Sequence, residues 1–128
     1  MKQVFFLGSS DEEIKKFPKE VREEVGFALY LAQMGDKALN AIPLSGFGNS
    51  KVPEIIVDHM GDTYRSVYTV RYEEAVYVLH AFKKKSPRGS ETPQRDMNLI
   101  KSRLKIAEAH YDENFLKRQI ERKKNVKS

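Results

Sequence analysis

The 128-residue chain has no cysteine, no tryptophan, only three histidines and only five prolines. The lack of cysteine excludes a disulfide framework, a thiolate nucleophile and any cysteine metal site, and it fits a reducing compartment. His59, His80 and His110 fall on different expected elements without ligand spacing to one another or to a carboxylate, so no metal or other cofactor is expected. No serine sits on a strand-turn-helix elbow, which removes the context a serine hydrolase needs. Gly46 and Gly48 in SGFGNS lack the third glycine and the following helix of a dinucleotide loop, and read as turn residues. No apolar run is long enough to cross a bilayer, and VFFL near the start gives way to acidic residues too soon for a signal-peptide core. A cytoplasmic protein without membrane contact is expected.

What is present is the composition of a single globular domain: 40% hydrophobic, 10% aromatic and 32% charged residues. The net charge of +5 is unevenly spread. Residues 1–82 carry 9 Lys/Arg against 12 Asp/Glu, a net of −3, whereas residues 83–128 carry 14 against 6, a net of +8. Such asymmetry is the electrostatic footprint of a polyanion binder, although basic tails also occur on proteins that bind no nucleic acid.

The order of elements follows from periodicity. Val4 to Leu7 reads as a strand closed by Gly8. Ser10-Asp11-Glu12-Glu13 fits a capping box that opens a helix. Pro18 restarts it, and Val21, Val25, Ala28, Leu29 and Ala32 continue an apolar stripe up to Gly35. Residues 38–51 read as loop. Val52–His59, Thr63–Tyr72 and Ala75–Lys83 are rich in Val, Ile, Tyr and Thr, and their short separators predict an antiparallel meander. In the middle strand, Arg65, Val67, Thr69 and Arg71 alternate with Tyr64, Ser66, Tyr68, Val70 and Tyr72, so neither face is purely apolar and a partly polar open face is expected to hold a site. Thr92 as N-cap and Pro93 in the first turn open a last helix over about 93–110, striped by Met97, Ile100, Leu104 and Ala107. Beyond Tyr111 the pattern thins, and the tail is expected to form a charged helix that frays or to lie disordered.

HAFKKKSPRG, residues 80–89, supports two readings. One is a strand end kept soluble by lysines. The other is an anion site in which Arg65, one strand away, converges with Lys83, Lys84, Lys85 and Arg88 on a single phosphate. Crowded ammonium groups lower one another's proton affinity from a reference near ~10.4, so one lysine could carry a proton while its neighbours stabilise charge. His80 either titrates near this site or packs in the core, the commoner fate of a lone histidine.

VFFLGSS, FPKEVREEVGFAL, VPEI, DTYRSVYTVRY, AVYVLHAFKKKS and TPQRDMNLIKSRL, in this order and spacing, resemble the RelE/ParE superfamily of bacterial toxins, and within it the phage-derived, HigB-like branch of type II toxin-antitoxin systems. The resemblance covers residues 3 to about 110. It implies an α+β, RelE-like fold, with an N-terminal strand and helix pair on an antiparallel sheet and a closing helix. Residues 1–110 would form the toxin domain and 111–128 a basic helical extension. It further implies a ribosome-dependent, metal-independent mRNA endoribonuclease, held in a hetero-oligomer by a helix-turn-helix antitoxin. Attack of the ribose 2′-OH on the adjacent phosphate needs a base, charge stabilisation and an acid. By that resemblance Arg65 clamps the phosphate, Lys84 and Lys85 neutralise charge or move protons, Tyr64 and Phe82 support the site or stack on a base, and Glu54 is either the base or a salt-bridge partner. Ile56 stands where relatives often carry a basic residue, and SPRGSE makes a long loop. The alternatives implied are a ParE-like toxin acting on a protein such as DNA gyrase, favoured less by the lysine cluster, and an inactive homologue.

Overall fold

A computed structural model describes residues 1–48, 51–84 and 92–126. The elements are β1 (Gln3–Phe6), α1 (Ser10–Lys15), α2 (Lys19–Gln33), β2 (Ala41–Pro43), β3 (Pro53–His59), β4 (Asp62–Tyr68), β5 (Ala75–Lys84) and α3 (Gln94–Tyr111). A π-helical turn, Asp112–Leu116, then leads into α4 (Lys117–Val126). The architecture is α+β, built on a mixed five-stranded sheet in the order β1-β5-β4-β3-β2.

The expected all-antiparallel sheet is corrected at both edges. β1 lies parallel to β5, because the helix pair between them carries the chain back to the starting end. The segment read as loop contributes β2, whose three residues pair antiparallel with the start of β3. So short a strand, ending in a proline, leaves almost no periodic signal.

Both faces of the sheet are covered, which replaces the expected open face. Val21, Val25, Ala28 and Leu29 of α2 bury Ile55, Val57, Tyr64, Tyr68, Val76 and Val78 on one side. Ile100 and Ala107 of α3, with Tyr111, bury Val67, Tyr77 and Leu79 on the other. Strand alternation makes this two-sided burial possible, with successive residues of β4 supplying opposite cores.

Local chemistry sets the boundaries. At the end of α2 the Gly35 amide donates to the Ala32 carbonyl and the Asp36 amide to Leu31, with Gly35 at φ +83, a Schellman stop that needs a left-handed residue. Met60 and Gly61, at φ +49 and +85, form the two-residue turn joining β3 to β4. Neither expected serine or threonine cap forms. Ser10 is the first residue of α1 and its hydroxyl donates to the Val78 carbonyl at 3.3 Å, tying the helix to the sheet. Pro93 is the N-cap of α3, and the Thr92 hydroxyl is used elsewhere.

Within the described residues the charged tail is helical. Its helix continues from α3, and the π turn rotates it so that Phe115 lies 6.0 Å from Phe5 and 5.1 Å from Tyr111, ring to ring. Gln119 then bonds Glu74 and the Tyr111 hydroxyl. Among the described residues no helix is long and apolar enough to cross a membrane.

Candidate functional site

The site begins with an irregularity in the meander. Val67 pairs with His80 and Tyr68 with Val78, so Leu79 is the extra residue of a β-bulge on β5. Leu79 already faces α3 with Tyr77. The inserted residue puts His80 on that side as well, and after it Phe82 and Lys84. Without the bulge these three side chains would point toward α2.

On the α3 side, register then stacks the meander into rows: Glu54, Val67 and His80 in one, Ile56, Arg65 and Phe82 in the next. Asp58, Thr63 and Lys84 follow. Arg65 Nη1 donates to Glu54 Oε1 at 3.0 Å, and both side chains are almost completely buried, at 6% and 3% exposure. Thr92, just ahead of α3, donates its hydroxyl to Glu54 Oε2 at 3.5 Å. Lys84 is buried too, near enough for its charge to act on the Glu54 carboxylate. Burial pushes Glu54 above its ordinary carboxylate value, opposed first by the Arg65 charge and hydrogen bond, then by the Lys84 charge and the Thr92 hydrogen bond. One carboxylate thus sits among two cations and a hydroxyl, with a heightened affinity for its proton. Such a set of groups can accept a proton and hold an oxyanion.

His80 closes the row rather than opening toward solvent. Arg103 Nη1 lies 3.4 Å from His80 Nδ1 and, because a guanidinium only donates, Nδ1 is the acceptor. Nε2 therefore carries the hydrogen and donates to Asp96 Oδ1 at 2.7 Å. Both ring nitrogens are engaged, and the ring stacks on Phe82 with centroids 5.1 Å apart. Arg103 also donates to the Leu79 carbonyl at 2.9 Å, pinning the bulge to α3.

Two of the sequence-derived residues lie on the other face. Lys83 turns toward α2, where Nζ meets Asp62 Oδ2 at 3.0 Å and sits 5.9 Å from the centre of the Tyr64 ring. The Asp62 hydrogen bond, then its charge, makes Lys83 hold its proton more tightly, the reverse of the lowered affinity expected for a proton carrier. Tyr64 packs edge-on against Phe17 at 4.9 Å. The structure therefore brings together Glu54, Arg65, Lys84, His80 and Phe82, and separates Lys83 and Tyr64 from them. Lys85 and Arg88 lie outside the described residues.

Thr92, Asp96 and Arg103 are the neighbours that sequence reasoning missed. Thr92 carried a signal that fitted helix capping equally well, and Asp96 and Arg103 sit at ordinary surface-like positions of a helical pattern.

An α+β architecture of helices on a mixed five-stranded sheet is compatible with a RelE-like fold. Residues 12–105 match the family described as phage derived protein Gp49-like (DUF891). The chain belongs to that family, a phage-derived, RelE-like toxin family. No curated protein matches the chain significantly.

Proposed function

We propose that the chain is the HigB-like toxin of a type II toxin-antitoxin pair and cleaves messenger RNA engaged on the ribosome. The observation that carries this reading is the buried cluster of Glu54, Arg65 and Lys84 on one face of the meander.

Arg65 is already bonded to a carboxylate, which presents the same kind of oxygen pair as a phosphate. A scissile phosphate takes the place of Glu54 on the guanidinium, and reaching it requires the cover over the pair to shift. The displaced Glu54, whose proton affinity is raised, accepts the proton of the attacking 2′-OH. Arg65 and Lys84 stabilise the charge of the pentacoordinate state, and Lys84 returns a proton to the departing 5′ oxygen. The His80–Asp96 and Arg103–Leu79 contacts hold β5 and the start of α3 in place around this chemistry. Phe82, stacked on His80, is the ring best placed to receive a base. An antitoxin of helix-turn-helix type holds the toxin inactive.

The test is cleavage of translated mRNA in a reconstituted translation reaction, comparing wild type with Lys84→Ala and Glu54→Gln, each confirmed folded by thermal melting. Each substitution is expected to lower the cleavage rate by about 100-fold or more. Full activity in both folded variants would remove the cluster from the mechanism. A wild type that arrests growth without cutting RNA would favour a protein target.

A further inference from the structure

On the outer face of α2, Phe27 is 60% exposed, and beside it Leu31 lines a groove of about 730 Å³ with Leu39. Glu23 and Glu24 stand at the same groove, one turn before Phe27, and both are solvent-facing. On α4 and the turn before it, Leu116 and Ile120 are 39% and 47% exposed, and Lys123 and Lys124 follow one turn later, also in solvent.

The two patterns are mirror images. Read backward, α2 gives Leu31, then Phe27 four residues on, then Glu24 and Glu23 at three and four more. Read forward, the tail gives Leu116, Ile120 four on, then Lys123 and Lys124 at three and four more. At about 1.5 Å of rise per residue, antiparallel alignment sets Leu116 beside Leu31, Ile120 beside Phe27, and the lysine pair beside the glutamate pair. Apolar positions four apart share one helix face, so both stripes are continuous.

Within one chain the two stripes lie on separate elements. α2 covers one side of the sheet, whereas α3 covers the other and its continuation is tied to Glu74 and Tyr111. A strand is also a poor occupant beside the groove, since the Ala41 amide is already bonded to the Ala38 carbonyl and Pro43 has no amide hydrogen to offer. We propose that two copies of this chain dimerise by reciprocal exchange, each laying its C-terminal helix antiparallel in the acidic, apolar groove of its partner's α2. The exchange forms the same contact twice, which closes a two-fold dimer.

Sedimentation equilibrium of the full chain over a wide concentration range tests this. Wild type is expected to associate reversibly to a dimer, more weakly as salt rises. Because each contact is made twice, Phe27→Glu and Ile120→Glu, on different helices of the monomer, should each weaken the dimer by about 100-fold or more. The pair Glu23→Lys with Glu24→Lys makes both stripes basic, and the pair Lys123→Glu with Lys124→Glu makes both acidic, so each variant alone is expected to stay monomeric. Mixed in equal amounts, they should form a heterodimer, because each groove then faces a helix of opposite charge. Circular dichroism melts verify that all variants fold. A wild type monomeric at every concentration, a dimer insensitive to these changes, or a mixture that remains monomeric would overturn the proposal.

Discussion

Breaking the Arg65–Glu54 pair tests the candidate site without any knowledge of its substrate. The two side chains are 6% and 3% exposed and 3.0 Å apart, so removing either partner strands a charge out of water, a loss of about 3–5 kcal/mol. In a domain of this size that lowers the melting temperature by roughly 10–20 °C. Replacing both together, Glu54→Leu with Arg65→Met, leaves neither member of the pair stranded, and is expected to recover part of the loss, the rest being the Glu54 charge that buried Lys84 no longer faces. The pH dependence has a defined sign. Burial raises the folded value of Glu54 above 4.5, so its stability contribution is fully present below that point and is lost as pH rises through the folded value. Arg65 is the leading influence that opposes the rise, so in Arg65→Met the folded value climbs further. The deficit of Arg65→Met against wild type should therefore widen between about pH 4 and pH 7. Thermal melts of the four proteins across that range give the coupling energy directly. Additive single losses, or a deficit flat with pH, would refute the reasoning.

Three further outcomes follow from local geometry. Met60 holds a left-handed backbone at 90% exposure in a turn that favours Asn-Gly, so Met60→Asn should stabilise the fold by about 0.5–1 kcal/mol in denaturant titrations, without touching the site. Gly8 combines φ +54 with close approach to the Arg103 guanidinium, which a Cβ would strike; Gly8→Ala should cost about 1–3 kcal/mol and speed amide exchange around the bulge that Arg103 anchors. Lys83 and Lys84 should behave differently in the proposed mRNA cleavage reaction, with Lys83→Ala near wild-type rates and Lys84→Ala losing about 100-fold or more, since of the two Lys84 alone shares a face with Glu54.

Much of the fold was legible because its signals are local and repeated. The stripe from Val21 to Ala32, the stop at Gly35 and the Val/Ile/Tyr-rich strands each show their element by periodicity. Pairing partners and caps are decided at a distance, and there the same residues misled. Ser10 and Thr92 have the chemistry of caps, yet each hydroxyl finds an acceptor across the molecule, at Val78 and Glu54. Simple alternation follows β4 as far as Tyr68. Beyond it Tyr72 packs with Tyr77 and Tyr111 on the α3 side, with Val67 rather than with Tyr64 and Tyr68. The grouping of Arg65, Glu54 and Lys84 was within reach of a hairpin drawing. Which lysine belongs to the group was not, because it depends on a one-residue bulge at Leu79 that nothing in VYVLHAF marks.

The chemistry assigned to Glu54, Arg65 and Lys84 is tested most directly by the ends of the RNA it leaves. Mass spectrometry of fragments from a translated message should find a 2′,3′-cyclic phosphate, or the 3′-phosphate formed by its opening, upstream of the cut and a 5′-hydroxyl downstream, because the proposed nucleophile is the 2′-OH. A 3′-hydroxyl with a 5′-phosphate, or an intact message beside an arrested cell, would contradict it.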